Sequence, residues 1–173
     1  MKINTKVEEV LNKQINAEFW SAYLYLSMSA WCQQQGLKGF ANWMRVQFQE
    51  ETAHALKFND YVLTRSGNVA LEHIAKVDHS WNSLLHMFEE TYKHECVVTE
   101  KINHCYEVAN AERDHATVSM LKWFIDEQTE EESNVLDIID QIKLLGEKGE
   151  GIYHLDKQLA TRVFVDPTQT PAP

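Results

Sequence analysis

Residues 44–62, MRVQFQEETAHALKFNDYV, are rich in helix-forming side chains, yet they place a charged residue where a core residue is expected. Taken at helical spacing, one side of this helix carries Met44, Phe48, Glu51, Ala55, Phe58 and Val62. His54 follows Glu51 by one turn. Because a buried carboxylate is costly unless a partner compensates its charge, the stretch predicts a core-facing helix whose polar pair meets groups from other helices.

The same interruption recurs in three further segments. The four segments cover about 5–34, 38–66, 81–110 and 114–145, and in each an apolar row with helical spacing breaks near its midpoint. The breaks are Glu18, Glu51 with His54, Glu95, and Gln128 with Glu131. Midpoints lie at one height in a bundle whichever way each helix runs. We therefore expect these side chains to meet in one layer of a four-helix bundle, called the polar layer below.

The lengths of the connections predict the topology. Residues 35–37 and residues 110–114 are short turns, so each joins antiparallel neighbours. Residues 68–80 differ, because about 13 residues can span about 40 Å, the length of a helix of about 28 residues. They predict a crossover along the whole bundle, between the second and third helices.

A fifth segment follows a run of glycines. Residues 151–163 are amphipathic but short, which predicts a C-terminal helix that packs on the bundle. The fold class is therefore all-α, a four-helix bundle with a long crossover and a short fifth helix. A chain of 173 residues suits one well-buried core. We expect one domain over residues 1–163 and a disordered tail over residues 164–173.

Composition limits the classes of partner. The formal net charge of -10 disfavours binding to nucleic acid and to anionic membranes, which need cationic patches, and it favours attraction of metal cations. The N-terminal MKINTKVEEV leads into an amphipathic segment, and no window approaches about 18 uninterrupted apolar residues. We therefore predict a cytosolic protein without a nucleic-acid or membrane partner.

The cysteines indicate no redox or zinc motif. Cys32, Cys96 and Cys105 are odd in number and lack the C-x-x-C spacing. This pattern argues against a disulfide framework, a rubredoxin-type iron site and a zinc ribbon. The sequence predicts reduced, mostly structural thiols.

The polar layer needs positive charge that the chain does not supply there. Four carboxylates cannot share a dehydrated core layer without protons or cations, and no Lys or Arg occupies a mid-row position. Carboxylate oxygens with one imidazole suit Fe(II), Mn(II) or Zn(II) better than Cu(I), and they are richer in nitrogen than a calcium site. Bound metal is thus the natural partner, and four carboxylates could neutralise two divalent ions.

The motifs at these positions carry a family resemblance. WSAYLYLSMSAWC, QEETAH, ETYKHE, LKWFIDEQTEEE and GEGIYHLDKQL resemble prokaryotic non-haem ferritins, from about residue 7 to about residue 161. The family builds di-iron centres from glutamates and Glu-x-x-His pairs on a ferritin-like bundle. The resemblance implies an iron-storage ferroxidase that oxidises Fe(II) with O2 or H2O2. It also implies a homo-oligomeric shell of 24 subunits around a ferric mineral.

The resemblance also assigns roles by matching position. Glu18, Glu51 and His54 would hold the first iron, and Glu51 would bridge to a second iron held by Glu95 and Glu131. Close to the centre would stand Gln128, Tyr25 and Trp123, the last two as aromatic neighbours. The family's third, inner-surface site corresponds to Glu50, Glu127 and Glu130.

The fourth helix departs from the pattern of bacterioferritins. Those relatives carry Glu-x-x-His on both helices, whereas this chain has Gln128 and Glu131 at the second pair. With a single imidazole, the second metal position is expected to be weaker, which favours iron passing through the centre over a permanent cofactor. Bacterioferritins also hold haem through a Met just after the helix-two Glu, and Thr52 stands there. No haem is therefore expected.

Other interpretations remain open on the residues. Glu50, Glu127 and Glu130 also fit an ordinary charged face. The resemblance implies that Glu112 and Asp114 are candidates for lining a threefold entry channel. A di-iron peroxidase of the rubrerythrin type would use the same bundle, but rubredoxin-like cysteines are missing. A DNA-protecting mini-ferritin would hold metal between subunits, and the absence of a Lys-rich arm from this sequence counts against it. A metal-free helical scaffold would have to explain four polar breaks at one level.

Overall fold

The computed structural model describes residues 2–169, and their regular structure is helical throughout. The elements are α1 (Thr5–Gln34), α2 (Lys38–Thr64), α3 (Leu84–Ala111), α4 (His115–Leu145), α5 (Glu150–Leu159) and a short 3-10 helix (Pro167–Gln169). The predicted all-α fold is confirmed, and the first four helices begin and end within a few residues of the predicted bounds. None of the helices in residues 2–169 combines the length and apolar character that crossing a bilayer requires.

Side-chain caps explain where three of the helices begin. Asn4 accepts a hydrogen bond from the backbone of Lys6, Ser83 caps α3 in the same way, and Asp114 caps α4. Such caps satisfy backbone N–H groups that have no partner within the helix. The residue before α2 is Leu37, which offers no cap. The acceptor comes instead from α5, where Asp156 Oδ1 lies 2.7 Å from the backbone nitrogen of Gly39.

The long connection between α2 and α3 spans the bundle as predicted, and it lies along α1. Polar side chains on the outer side of α1 form hydrogen bonds with the backbone of this connection. Asn12 donates to the carbonyl of Asn68 and accepts from the backbone of Ala70. Further along, Ser27 donates to the carbonyl of Asp78 at 2.7 Å. These bonds fix the crossover over the length of the bundle, so α2 and α3 run in the same direction.

Two apolar clusters fill the interior, one at each end of the bundle. The first joins the end of α1, the start of α2 and α3, the end of α4, and α5; its largest buried side chains include Phe40 and Phe88. The second joins the opposite ends and centres on Phe58 and Phe124, whose rings stack at 3.9 Å between centroids. The polar layer separates the two clusters, at the height that the midpoint rule predicts.

The two carboxylates proposed for a channel have partners within the chain. Arg65 contacts Asp114 through both terminal nitrogens, at 3.0 and 3.1 Å. Partial burial would raise the pKa of Asp114, but the hydrogen bonds from Arg65 and Thr117 lower it overall. Glu112 accepts from Lys6 at 2.6 Å. Both acids therefore help to hold the α3–α4 turn against the ends of α1 and α2, and their role in a channel stays a prediction.

The C-terminal segment differs in detail from the predicted bounds. Helix α5 ends at Leu159 rather than at residue 163, because the Asn42 side chain donates hydrogen bonds to the carbonyl oxygens of Leu159 and Arg162, at 3.2 and 2.9 Å. Residues 164–169 of the predicted tail have defined positions: Asp166 accepts from Thr168, and the 3-10 helix contacts α2. Residues 170–173 of that predicted tail lie outside the described residues.

Candidate metal centre

The polar layer assembles as predicted. Each of its side chains projects from the middle of its helix into the interior, with an exposed fraction of 3% or less. The members are Glu18 on α1, Glu51 and His54 on α2, Glu95 on α3, and Gln128 and Glu131 on α4. A dehydrated layer that concentrates carboxylates in this way needs protons or cations to be stable.

One group within the layer has the geometry of a metal site. Glu18, Glu51 and His54 each offer one ligand atom, and these atoms lie within 4.8 Å of one another. Glu18 Oε2, both oxygens of Glu51 and His54 Nε2 are buried without a hydrogen-bond partner. Buried polar atoms are otherwise almost always paired. The unpaired donor set of oxygens and one imidazole nitrogen fits a divalent cation such as Fe(II) or Zn(II).

The other carboxylates of the layer have protein partners. Glu95 accepts from the Tyr25 hydroxyl on one oxygen and from Gln128 Nε2, at 3.1 Å, on the other. Glu131 Oε2 accepts from Gln47 Nε2 at 2.8 Å. Within residues 2–169 this side of the layer does not converge to metal-ligand distance as the first group does. The second-iron role of Glu95 and Glu131 therefore stays a prediction, and hydrogen bonds engage both oxygens of Glu95 and one oxygen of Glu131.

Burial and mutual repulsion keep protons in the layer. Burial, followed by the charges of Glu18 and Glu95, raises the pKa of Glu51 well above its usual value. Burial and the charge of Glu131 raise the pKa of Glu95 to about 8. Burial also raises the pKa of Glu131. In the absence of a cation, these acids are protonated over a range of pH in which exposed glutamates are ionised.

Burial and the neighbouring charges act in opposite directions on the pKa of His54. Burial would lower the pKa of His54, but carboxylates around it, including Glu127 and Glu18, raise it overall. The nearest approach of His54 Nε2 to Glu127 is 3.9 Å, and that of Nδ1 to Glu51 is 3.9 Å, so neither is a hydrogen bond. The imidazole is thus attracted by acids without being fixed by them.

The predicted third site is not gathered in the described part of the chain. Glu50 forms an ion pair with Arg162 at 2.7 Å, Glu127 lies beside His54, and Glu130 is exposed. The three carboxylates do not approach one another to metal-ligand distance among the described residues. The third site stays a prediction.

Aromatic rings surround the layer. Tyr25 is fully buried, and burial followed by the charge of Glu95 raises its pKa well above the usual value, so it remains a hydrogen-bond donor. The ring of Trp123 lies 5.6 Å from that of His54. His94 also has a hydrogen-bond partner, since its Nε2 lies 2.8 Å from Ser21 Oγ.

Comparisons with known proteins agree with the fold. The family described as ferritin-like domain matches residues 8–145. The chain belongs to the ferritin family. Bacterial non-heme ferritins from Bacteroides fragilis (strain 638R) and Escherichia coli O6:H1 (strain CFT073) are 40% and 41% identical. The first alignment covers 92% of this chain and 99% of the relative, and the second covers 88% and 93%.

Solved structures extend the likeness to three dimensions. An Archaeoglobus fulgidus ferritin engineered into a closed form superposes with a TM-score of 0.93 at 47% identity, over 95% of this chain and 100% of the other. The open-pore ferritin of the same archaeon gives a TM-score of 0.91 at 47% identity, over 94% and 100%. This ferritin therefore shares the subunit fold of these solved ferritins.

Thr52, Cys32 and Cys105 of this ferritin have hydrogen-bond partners within the fold. The Thr52 hydroxyl donates to the carbonyl of Phe48 at 2.7 Å, within its own helix. Cys32, Cys96 and Cys105 are free thiols. Burial, as the main cause, raises the pKa of Cys32 and of Cys105 to about 12, so both stay protonated. The absence of haem stays a prediction.

Sequence reasoning missed three polar residues that serve the layer. Gln14 donates to Glu18 at 2.8 Å and Gln47 donates to Glu131, and each precedes a predicted ligand by four residues on its helix. A search for polar residues one turn before each ligand would have found both. Arg162 reaches the layer from beyond α5 and has no signal in the helical period.

Proposed function

We propose that this ferritin oxidises Fe(II) at the polar layer and stores the ferric product inside a shell of 24 subunits. The observation that carries the proposal is the set of unpaired buried atoms on Glu18, Glu51 and His54. Iron storage is the function that its family membership supports. Iron is here the substrate, and the carboxylates supply its binding energy and orientation.

The first group binds the first Fe(II). Glu18, Glu51 and His54 offer oxygens and a nitrogen that no protein donor occupies. Gln14 holds the other oxygen of Glu18, which fixes the orientation of that carboxylate in the way outer-shell partners orient metal ligands. Binding here costs the chain little rearrangement, because no hydrogen bond has to break.

The second Fe(II) binds between Glu51, Glu95 and Glu131. Here the hydrogen bonds from Tyr25 and from Gln128 on Glu95 must adjust, so this position is the weaker of the pair. Glu51 has both oxygens unpaired and is the residue able to serve both ions. A weaker second position suits a substrate that has to leave for the mineral.

Oxidation then balances between the two ions and the oxidant. Each Fe(II) gives one electron, and O2 takes both electrons with two protons to become H2O2; alternatively, H2O2 takes them with two protons to become two molecules of water. The layer excludes water and holds the ions side by side, which favours a paired transfer. The carboxyl protons displaced by the arriving iron leave as the acids ionise.

Storage is tested by electron microscopy of protein loaded with Fe(II) in air. We expect closed shells with dense cores, because a ferroxidase centre in a storage protein feeds a mineral. Protein incubated with Fe(II) and a strong iron chelator is the control and should give empty shells. A dimer that oxidises iron without forming cores would contradict storage and support a di-iron enzyme instead.

The stability gained from metal should increase with pH. Burial raises the pKa of Glu95 to about 8, above its unfolded value, so the metal-free native state keeps protons that the unfolded state loses as the pH rises. That contribution is present at low pH and is lost as the pH rises through the folded pKa. A bound divalent cation replaces those protons, so the melting-temperature increase caused by Zn(II) should be larger at about pH 8 than at about pH 6.

Differential scanning calorimetry with and without Zn(II) measures this shift. Glu95→Gln is the matched variant, because it removes the titrating group and keeps the side-chain shape, and its Zn(II)-induced shift should depend less on pH. An equal shift at both pH values in the parent protein would contradict the assignment of the layer as a protonated metal site.

A further inference from the structure

Arg162 brings a positive charge next to the polar layer. Its guanidinium donates to Gln47 Oε1 at 2.5 Å and to Glu50 Oε2 at 2.7 Å, and it lies over the ring of Trp43 at 4.8 Å. The side chain is 24% exposed and that of Glu50 is 13% exposed. Such a fork with several partners is more ordered than a surface ion pair.

The contact reaches a predicted iron ligand through one amide. Gln47 is fully buried, and its Nε2 donates to Glu131 while its Oε1 accepts from Arg162. Because a guanidinium can only donate, it forces the amide oxygen of Gln47 toward itself and the amide nitrogen toward Glu131. Arg162 thus orients a hydrogen bond on a metal-centre carboxylate that it does not touch.

The backbone around Arg162 is also held. Asn42 on α2 donates to the carbonyl of Arg162 at 2.9 Å and to that of Leu159 at 3.2 Å. The guanidinium therefore projects from a segment fixed to the same helix that carries Glu50 and Glu51. This placement makes the charge a built part of the site rather than a mobile surface group.

We propose that Arg162 is a positioning residue whose guanidinium serves as an internal cation for Glu50. While this ion pair is intact, the Glu50 carboxylate is not free to bind a metal ion. The inference rests on the proposed metal centre and adds a control on how many cations it holds. A divalent ion at Glu50 has to displace a guanidinium of like sign, and close charges of like sign repel strongly in a partly buried site. The C-terminal segment therefore restricts the layer to the ions bound by its central carboxylates.

Titration of metal-free protein with Zn(II) by calorimetry tests the proposal without any oxidation. Arg162→Gln and Arg162→Met both remove the charge, and Met keeps an apolar side chain over Trp43. We expect each to bind about one more Zn(II) per subunit than the parent protein, or to bind its weakest ion about tenfold more tightly. Adding Glu50→Gln to either variant should remove the gain.

Two controls separate charge from structure. Arg162→Lys keeps the charge and should bind Zn(II) as the parent protein does, whereas Lys157→Gln removes an exposed cation of α5 and should change nothing. Unchanged Zn(II) binding in both neutral variants would overturn the proposal. So would loss of the folded subunit in both, with Arg162→Lys intact, since the residue would then be structural.

The same titrations test the proposed metal centre independently of Arg162. His54→Ala should lose Zn(II) at the first group whether or not Arg162 is present. Failure of that loss counts against the metal centre, while failure of the gain at Glu50 counts against the role of Arg162.

Discussion

Glu51→Ala and His54→Ala should each lower the rate of Fe(II) oxidation at least about 100-fold, because each removes a ligand for which the chain offers no substitute. Glu51 carries two of the unpaired buried oxygens and is the residue placed to serve both ions. His54 supplies the imidazole of the first group. Stopped-flow absorbance after Fe(II) is mixed with the aerated protein measures the rate.

The same substitutions should leave the subunit folded. Glu51→Ala relieves the repulsion among buried carboxylates, so the unfolding free energy of the metal-free protein should be unchanged or higher by about 1–4 kcal/mol. His54→Ala removes an imidazole whose charged form the surrounding carboxylates favour, so that variant should stay folded without this gain. For Glu51→Ala a cavity opposes part of this gain. Chemical denaturation in the presence of a chelator measures it, and the result separates loss of a ligand from loss of the fold.

Two exposed residues provide matched controls for the kinetics. Glu107→Ala removes a carboxylate from the outer side of α3, and His154→Ala removes an imidazole from α5, and both side chains are exposed. Both variants should oxidise Fe(II) at the parent rate. Undiminished oxidation in Glu51→Ala and in His54→Ala would remove the assignment of the polar layer as the oxidation site.

The polar layer could be predicted because its signal is local. A glutamate in the middle of an apolar row is visible in the helical period of one helix, and Glu18, Glu51 and Glu95 each stand in such a row. Their meeting then follows from the bundle geometry alone. The all-α architecture and the crossover follow for the same reason, since the lengths of helices and connections are properties of the sequence.

The hydrogen bonds that orient the layer could not be predicted in this way. Asp156 on α5 accepts from the start of α2, and Arg162 contacts Gln47 and Glu50, across more than a hundred residues in each case. No periodicity relates these residues, because the docking of α5 depends on side-chain shape at one point. The early end of α5 at Leu159 has the same origin, since Asn42 captures its last carbonyls.

The difference in affinity between the two metal positions could be predicted in part. The sequence predicts a weaker second position from the missing second histidine. The structure adds a physical reason, since the oxygens of Glu95 are already engaged by Tyr25 and Gln128 while those of Glu51 are not. Composition of the ligand set and its hydrogen bonding therefore favour the same order of binding.

Gly39→Ala should be the most damaging single methyl group in this ferritin. A Cβ at residue 39 would lie 1.5 Å from the carbonyl oxygen of Asp156 and 3.0 Å from the backbone nitrogen of Ala160. Both obstacles are backbone atoms of the α5 region, so that segment must move as a unit. The displacement also withdraws Asp156 from the backbone nitrogens of Gly39 and Phe40. We expect a loss of about 3 kcal/mol in unfolding free energy, although alanine favours the helix by about 1 kcal/mol.

Matched substitutions divide this loss into its causes. Asp156→Ala removes the hydrogen bonds without adding a clash and should cost about 1–3 kcal/mol. In Gly151→Ala the three atoms nearest the new Cβ belong to the side chain of Leu145, two of them at 3.1 Å, so a shift of a few tenths of an ångström suffices and the change should stay within about 1 kcal/mol. Chemical denaturation gives the energies, and amide hydrogen exchange shows whether α5 opens before the bundle. Parent-like stability and protection in Gly39→Ala would contradict the close approach.

The displacement should also reach the metal centre. Arg162 follows α5 and is held through Asn42, so moving α5 away from α2 withdraws the guanidinium from Gln47 and Glu50. Gly39→Ala should therefore reproduce the extra Zn(II) binding of Arg162→Gln, even though residue 39 lies far from the polar layer along α2. A destabilised α5 with unchanged Zn(II) binding would show that the charge reaches the layer without the docked helix. The docking of α5 and the cation content of the centre are thus coupled through one short segment, residues 159–162.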